Sequence, residues 1–499
     1  MSKNVKVLFI YPNTMMATLL PLHISTLSSC LKEKGFEVRL FDTTYYKTEE
    51  KSFEQKKVEL LQVKKFELEA GGIKFKTTNI YEDLNKLIDD YCPDLIGITL
   101  VEDTYKLGMS LLRSIKQSQI PVIAGGVFVN FYADELIKED SINMLCLGEG
   151  EAALVDLCEA IRDKRDYSSI NNLYIKKSDG TVVKNKIRNL VNLDDLPYID
   201  FDLFEATRMC RPMQGRLFRM LHVEAQRGCP FNCTYCEAPA IKKLYESNGL
   251  GKYFRQKSPV RFIAELRHLV KKYNPDYINF SAESFLGINV NILKELAQMY
   301  KSEISLPFWC QTRPETITEK KVAILKDMNC ADMQFGIEHG NEDFRAKMLN
   351  RKSSNKALLY ALKIVEKYKI PYTVNNIIGF PEETRELIFD TIALNRKINP
   401  KTINCYMFTP YRGTYLRNYC VEHGYLSKDA STMQLLDGAD YKYDTISKEE
   451  LYGLQRTFSL YARFPESEFD LIKRAEKFDE EGNRIFQELS GLYYQRYFK

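Results

Sequence analysis

The sequence predicts an α/β protein: a doubly wound parallel sheet, then a partial barrel of six strand–helix repeats, then a helical C-terminal domain. Three observations lead there. Over residues 1–163 short apolar runs alternate with amphipathic stretches, the pattern of a parallel sheet covered by helices on both faces. The alternation resumes over residues 221–420, with six more strand-like runs. Over residues 421–499 only helical periodicity remains, rich in Tyr, Phe, Glu and Lys. A chain of 499 residues that is 44% hydrophobic can fill several cores, and length alone suggests about three domains. Residues 164–220 are expected to connect the first two.

In the first domain, residues 5–12 read as a buried strand and residues 21–34 as an amphipathic helix stopped by Gly35. The second strand is 36–42, and a charged insertion with helical periodicity follows over 47–76, broken at Gly71-Gly72. Residues 95–100 are the third strand and 105–118 a helix. The fourth strand, 121–126, ends in Gly125 and Gly126. The fifth, 143–151, runs through Gly148, Glu149 and Gly150 into a helix reaching about residue 162. Ligands of such sheets bind beyond the carboxyl ends of the strands, here residues 12–20, 99–104, 125–130 and 148–151. Glycines at those ends let a bulky ligand approach the backbone.

The connector contains a hairpin over 173–183 around Asp179-Gly180. Residues 194–200, with Pro197, lead to Phe201 and Phe204 and read as a packed strap. Residues 208–219 are basic and Met-rich, and read as a solvated face first and as a face toward substrate or cofactor second.

The second domain opens with a short strand at 221–225 and then Arg227-Gly228-Cys229-Pro230-Phe231-Asn232-Cys233-Thr234-Tyr235-Cys236. Thiolates are soft ligands suited to iron–sulfur clusters. Three close cysteines without a fourth leave one iron open to another ligand. The loop leaving a barrel strand is also where such folds place their chemistry. Further strands are expected at 276–285, 307–313, 332–340, 372–384 and 402–410, separated by helices at 259–273, 290–303, 317–329, 355–368 and 383–397. The other nine cysteines are scattered, Cys310 and Cys405 among them, and read as small core hydrophobes.

The Cys-x-x-x-Cys-x-x-Cys spacing resembles the signature of the radical S-adenosylmethionine (SAM) enzymes. Gly336-Ile337-Glu338-His339-Gly340 resembles that family's Gly-Ile-Glu-Ser-Gly stretch, with His339 in place of Ser. Gly379-Phe380-Pro381-Glu382-Glu383-Thr384 resembles its Gly-x-Pro-Gly-Glu-Thr turn, with Glu382 in place of Gly. A domain with Gly125-Gly126 and Gly148-Glu149-Gly150-Glu151 strand ends, placed before this motif, resembles the cobalamin-binding domain of the cobalamin-dependent radical SAM class. The resemblance implies a Rossmann-like cobalamin-binding domain and a partial (β/α)6 radical SAM barrel. It implies a [4Fe-4S] cluster on Cys229, Cys233 and Cys236, with SAM chelating the fourth iron. It implies SAM contacts from Tyr235, Ser281, Glu283, Gln311, Arg313 and Glu338, and cobalamin contacts from Gly125, Gly126, Gly148, Glu149 and Gly150. None of the five histidines, His23, His222, His268, His339 and His423, stands in an Asp-x-His-x-x-Gly motif, so cobalamin is expected without a histidine on cobalt. The implied reaction cleaves SAM to a 5′-deoxyadenosyl radical, which takes hydrogen from an unactivated carbon. Methylcobalamin held between the two domains then delivers a methyl group, and a second SAM restores it.

Other readings stand beside this one. Zinc would want four N/S ligands, and no partner pair lies near the motif. A disulfide cluster does not suit the cytoplasmic setting expected from a chain without a signal peptide or a long apolar run. The formal charge of +4 is too balanced to argue for nucleic acid. Partners expected are a small-molecule or peptide substrate and an electron donor such as flavodoxin or ferredoxin. Rival functions are a radical cyclisation, rearrangement or oxidation, a cobalamin- or SAM-binding regulator without turnover, and an iron–sulfur electron carrier. The substrate stays open among lipids, phosphonates, antibiotic precursors and peptides.

Overall fold

Val7, Leu8, Phe9 and Ile10 are all buried, as a strand enclosed on both faces requires. They lie on β1 (Lys6–Tyr11), near one edge of a seven-stranded sheet. The computed structural model describes residues 4–15, 20–68, 71–213, 215–432, 436–437 and 441–498. Within it the chain forms two compact units. The first comprises residues up to 53, 68–210 and 240–255; the second comprises 54–67, 211–239 and everything from 256 onward.

In the first unit, β1 pairs in parallel with β2 (Glu37–Asp42) and β3 (Leu95–Thr99). The sheet continues in parallel to β4 (Val122–Gly125) and β5 (Met144–Cys146). The hairpin expected in the connector is β6 (Leu173–Lys176) and β7 (Val182–Lys184), and it adds two antiparallel strands beside β5. The order is β2-β1-β3-β4-β5-β6-β7. β5 is shorter than the sequence suggested, because Gly148 takes a φ of +73° and turns the chain out of the ladder. Residues 16–19, part of the expected ligand-facing end of β1, lie outside the described residues.

The second unit is built on a sheet of order β16-β15-β14-β13-β12-β9-β8. Its members are β8 (Cys210–Met213), β9 (Arg216–Glu224), β12 (Tyr277–Ser281), β13 (Phe308–Thr312), β14 (Cys330–Glu338), β15 (Tyr372–Ile378) and β16 (Thr402–Met407). Two short strands, β10 (Gln226–Arg227) and β11 (Arg255–Gln256), lie outside it. From β9 to β16 every pairing is parallel, so the sheet is the expected six-strand partial barrel with one further strand at its β9 edge. The crossover helices start on side-chain caps at Ser258, Asn289, Thr318, Ser354 and Thr384, which satisfy amide groups the first helical turn leaves open.

The two faces of this sheet differ in chemistry. Val223, Phe280, Cys310, Phe335, Val374 and Cys405 alternate onto one face and are all buried. Phe280 stacks on Phe308 at 4.4 Å and meets Phe262 of the helix Pro259–Tyr273 at 5.4 Å, so this is the face that the helices cover. The opposite face carries His222, Asn279, Gln334, Asn375 and Asn404, joined by amide hydrogen bonds of 2.8–3.0 Å. The C-terminal segment is helical as expected, over Lys448–Arg463, Phe469–Ala475 and Glu480–Tyr497.

Candidate active site

The three motif cysteines sit on the loop that leaves β9 and precedes the helix Ala238–Glu246. Gly228 opens the loop at a φ of +88°, and its amide donates to Glu283 Oε1 at 3.3 Å. Arg227 forms a two-pronged pair with Glu224 at the end of β9, both contacts 3.0 Å. Further along, Thr234 Oγ1 donates to the Met348 carbonyl at 2.6 Å and the Leu416 amide donates to the Thr234 carbonyl at 3.0 Å. The loop is therefore pinned at its start and again at Thr234.

The thiols lie close together: Cys233 adds to the proton affinity of Cys229, and Cys233 and Cys229 add to that of Cys236. Burial pushes Cys229 up, and it pushes Cys236 up to about 12. Cluster formation on them must therefore release protons. Among the described residues no three or more His, Cys, Asp or Glu side chains converge as the ligands of one metal ion. That is compatible with a cluster, in which each thiolate meets a different iron.

Arg313, beyond β13, has its guanidinium 3.9 Å from the centre of the Phe231 ring and donates to Cys233 Sγ at 3.4 Å. Its other nitrogens pair with Glu315 at 2.7 and 3.3 Å. Glu315 also accepts both contacts of Arg351 Nη2 at 3.0 Å, and Arg351 Nη1 donates to Glu338 Oε1 at 3.0 Å. Burial acts to raise Glu315, but Arg351 and Arg313 prevail and hold it at about 2. For Glu338 the balance is opposite: burial outweighs Arg351 and raises its proton affinity. Burial likewise raises Glu283 and Tyr235. The Tyr235 hydroxyl lies near the Glu338 carboxylate, and its ring meets Phe380 at 6.3 Å. Gln311 donates to the Ala282 carbonyl at 2.9 Å, and half-buried Ser281 stands opposite Glu224 in the ladder. The structure thus gathers Tyr235, Glu338, Glu283 and Arg313 around the cysteine loop. Carboxylates there, Glu283 open to solvent and Glu338 half-buried, suit a ligand that offers an ammonium or hydroxyl groups.

Sequence reasoning missed Arg351, the fully buried centre of this network. It sits in a polar run, Asn350-Arg351-Lys352, that reads as a surface turn. It also missed why Gly336 is glycine: a Cβ there would lie 2.0 Å from Glu338 Oε1. Glu338 itself holds a φ of +66°, where the β14–β15 register shifts. The two departures from the family's stretches have local explanations. His339 is buried, with Nε2 3.0 Å from Glu383, whose other oxygen takes the Gly379 and Phe380 amides. Glu382 adopts the left-handed φ of +62° that glycine favours.

In the first unit, the expected cobalamin residues line the carboxyl ends of β4 and β5. Gly126 has a φ of +109°, and a Cβ on it would lie 2.4 Å from the Leu100 carbonyl. Gly125 has room, its nearest neighbour being Cys146 at 3.9 Å. A Cβ on Gly148 would meet the Tyr245 hydroxyl, and one on Gly150 would touch Leu27 and Cys146 at 3.4–3.5 Å. The Glu149 carboxylate is engaged by Arg255 and by the Val191 amide at 2.9 Å, while its own amide donates to Tyr245 at 2.8 Å. Tyr245 and Arg255 were invisible to sequence reasoning, since nothing tied residues 240–255 to the first sheet. Beside β4, Thr99 and Thr104 carry buried hydroxyls without a hydrogen-bond partner. Buried polar atoms normally find partners, so this mouth, with room at Gly125 and open hydroxyls at Thr99 and Thr104, fits a large polar ligand such as cobalamin.

The family model of the radical SAM superfamily matches residues 223–394, and that of the B12 binding domain matches residues 14–158. An uncharacterized methyltransferase of Pyrococcus horikoshii is 28% identical over 356 residues, spanning 69% of this chain and 73% of that protein. The anaerobic magnesium-protoporphyrin IX monomethyl ester cyclase of Rubrivivax gelatinosus is 22% identical over 69% of this chain and 62% of its own length. Among solved structures, the cobalamin-dependent S-adenosylmethionine radical enzyme OxsB, with aqua-cobalamin and S-adenosylmethionine bound, aligns over 98% of this chain and 71% of that chain, with a TM-score of 0.66 and 15% identity. That last likeness is one of fold. No helix among the described residues is long and apolar enough to cross a membrane.

Proposed function

Because this chain belongs to the cobalamin-dependent radical SAM enzymes, with a B12-binding domain followed by a radical SAM domain, we propose that it methylates an unactivated carbon of a small-molecule or peptide substrate. The observation that carries the reading is the pinned loop with three thiols at the carboxyl end of a six-strand parallel barrel, in a chain that also holds a glycine-lined sheet mouth. When bound, the cluster and SAM supply a 5′-deoxyadenosyl radical and cobalamin supplies the methyl group. Cys229, Cys233 and Cys236 hold the cluster. Glu283 and Glu338 would accept hydrogen bonds from SAM, Tyr235 would lie near its adenine, and Ser281 and Gln311 would complete its contacts. Arg313 holds Cys233 Sγ and Glu315 in place. Gly125 leaves room for cobalamin to approach the backbone, Gly126, Gly148 and Gly150 shape that edge by admitting Leu100, Tyr245 and Leu27, and Glu149 fixes it through Arg255.

The same reading assigns residues 1–163 to cobalamin, 221–420 to SAM and the substrate, 164–220 to linking them, and 421–499 to covering the barrel. The reductant is a flavodoxin or ferredoxin, and the free cysteines suit a reducing cytoplasm. The likeness to a cyclase supports a second reading, radical chemistry without methyl transfer. Product mass separates the two. Anaerobically reconstituted protein should carry about four irons and one cobalamin and give methylated product together with 5′-deoxyadenosine. Four irons without cobalamin, and a product lacking the added methyl mass, would transfer the reading to the cyclase-like alternative.

A further inference from the structure

Strand β2 is an edge of the first sheet. Just past its carboxyl end the chain is clamped, the Lys76 amide donating to the Tyr45 carbonyl at 2.7 Å. The helix Ile80–Tyr91 starts soon after on an Asn79 cap. The connector turn Ala206–Met209 meets β2 from elsewhere in the sequence, with Arg208 Nε donating to Asp42 Oδ2 at 2.8 Å. Strand end, helix and turn enclose a cleft of about 500 Å³, the size of a small-molecule site. Phe41, Tyr45, Tyr46 and Phe204 line it, and all four are largely buried. β1 and β3 stand between β2 and the mouth at β4 and β5, and none of the residues proposed for cobalamin borders this cleft.

The charges around it leave one carboxylate over. Arg208 is matched by Asp42, Lys76 by Glu205 at 2.8 Å and Lys86 by Asp90 at 3.1 Å. Asp83 forms no ion pair among the described residues. It accepts from the Thr78 and Tyr46 hydroxyls, the latter at 2.7 Å, both through Oδ2. Those bonds hold it below the ordinary carboxylate range, and the charge of Lys76 acts on it less than either does. Oδ1 is left to accept from a ligand. A carboxylate among aromatic rings attracts an ammonium. The cleft also holds an open donor. Arg208 begins a run that reads in sequence mainly as a solvated face, yet its side chain is 3% exposed, and Nη2 is buried with no hydrogen-bond partner among the described residues. Buried donors normally find an acceptor. Because Asp42 already balances the guanidinium, a neutral oxygen suits Nη2 better than a second anion.

We propose that this cleft of the first unit is a second small-molecule site, and that it takes an aromatic primary ammonium bearing a neutral carbonyl oxygen, the ammonium at Asp83 and the oxygen at Arg208 Nη2. The test uses holoenzyme with its cluster oxidised, and ¹⁹F line broadening of three matched probes at about pH 6.5, below the α-amino range. They are 4-fluorophenylalaninamide, its N-acetyl derivative, which lacks the ammonium, and 4-fluorophenethylamine, which lacks the carbonyl. The amide should bind about tenfold or more tightly than either analogue, as loss of a charged hydrogen bond predicts. Asp83→Asn, which keeps an acceptor for Tyr46 and Thr78, should weaken the amide to the level of its N-acetyl derivative. Arg208→Lys, which keeps a cation for Asp42, should weaken it to the level of 4-fluorophenethylamine. Iron and cobalamin content should match wild type in both. The proposal is overturned if either analogue binds as tightly as the amide, if Asp83→Asn leaves amide binding unchanged, or if the amide does not bind up to about 20 mM. Binding is read without turnover, so absence of methylated product would sink the methyltransferase reading while leaving this result standing.

Discussion

Arg351 Nη1 stands 3.0 Å from Glu338 Oε1, and the same guanidinium holds Glu315 and the Gly336 carbonyl. One buried cation thus fixes two carboxylates beside the cysteine loop. Removing it would leave Glu338 uncompensated and Glu315 with Arg313 alone, in a low-dielectric setting where breaking one side of a buried pair costs about 3–5 kcal/mol. Arg351→Met should lower unfolding stability by that order in anaerobic urea titrations. Arg313→Met, whose partner Glu315 keeps Arg351, should cost less than half as much. Equal losses would mean that Arg351 is not the centre of the network.

Cys233 is the least exposed of the three cysteines and the one that Arg313 touches. Cys233→Ala should leave less than about one iron per chain after reconstitution, since three thiolates are the full protein ligand set. Cobalamin uptake by the first unit should persist, because the residues proposed to hold it lie in a different compact unit. Iron analysis and the cobalamin spectrum on one sample check both halves.

Glu382 occupies a left-handed backbone position and bonds the Tyr419 hydroxyl. Non-glycine residues pay conformational energy there, of order 1 kcal/mol. Glu382→Gly should remove that strain while losing one exposed hydrogen bond, for a net gain of up to about 1 kcal/mol. Glu382→Ala keeps the strain and loses the bond, so it should fall below wild type. Thermal unfolding of the three proteins should rank Gly, Glu, Ala from most to least stable.

The parts of this molecule legible in sequence are those written locally. Strand runs such as 5–12, capped helices and the cysteine spacing each depend on neighbours within a few residues. Arg351, Tyr245, Arg255 and Arg208 were illegible because their meaning comes from partners far along the chain. Arg208 lies in a basic run that looks like solvated surface, yet it meets Asp42, 166 positions earlier. Glu149 was legible as a strand-end residue but not as the partner of Arg255, 106 positions away. Register and alternation could be read; which strand end a connector turn meets could not.

Asp332 and Lys401 form a pair at 3.2 Å on the strand-entry side of β14 and β16. Burial raises Asp332 to about 6 despite Lys401, and burial lowers Lys401 despite Asp332. Desolvation therefore outweighs attraction for both partners. An aspartate whose folded pKa lies above its unfolded value of 3.8 binds its proton more tightly when folded. Its contribution is most favourable below pH 4, falls as pH rises from about 4 to about 6, and is flat above. The change is at most about 3 kcal/mol. The difference in unfolding free energy between Asp332→Asn and wild type should therefore rise across pH 4–6 and then level off. Lys401→Met alone should destabilise at pH 7 by leaving a buried carboxylate without its partner. The double variant Asp332→Asn with Lys401→Met should recover to wild-type stability or above. A double variant less stable than Lys401→Met would show that the pair is attractive on balance, and would overturn the ordering of burial over charge drawn here.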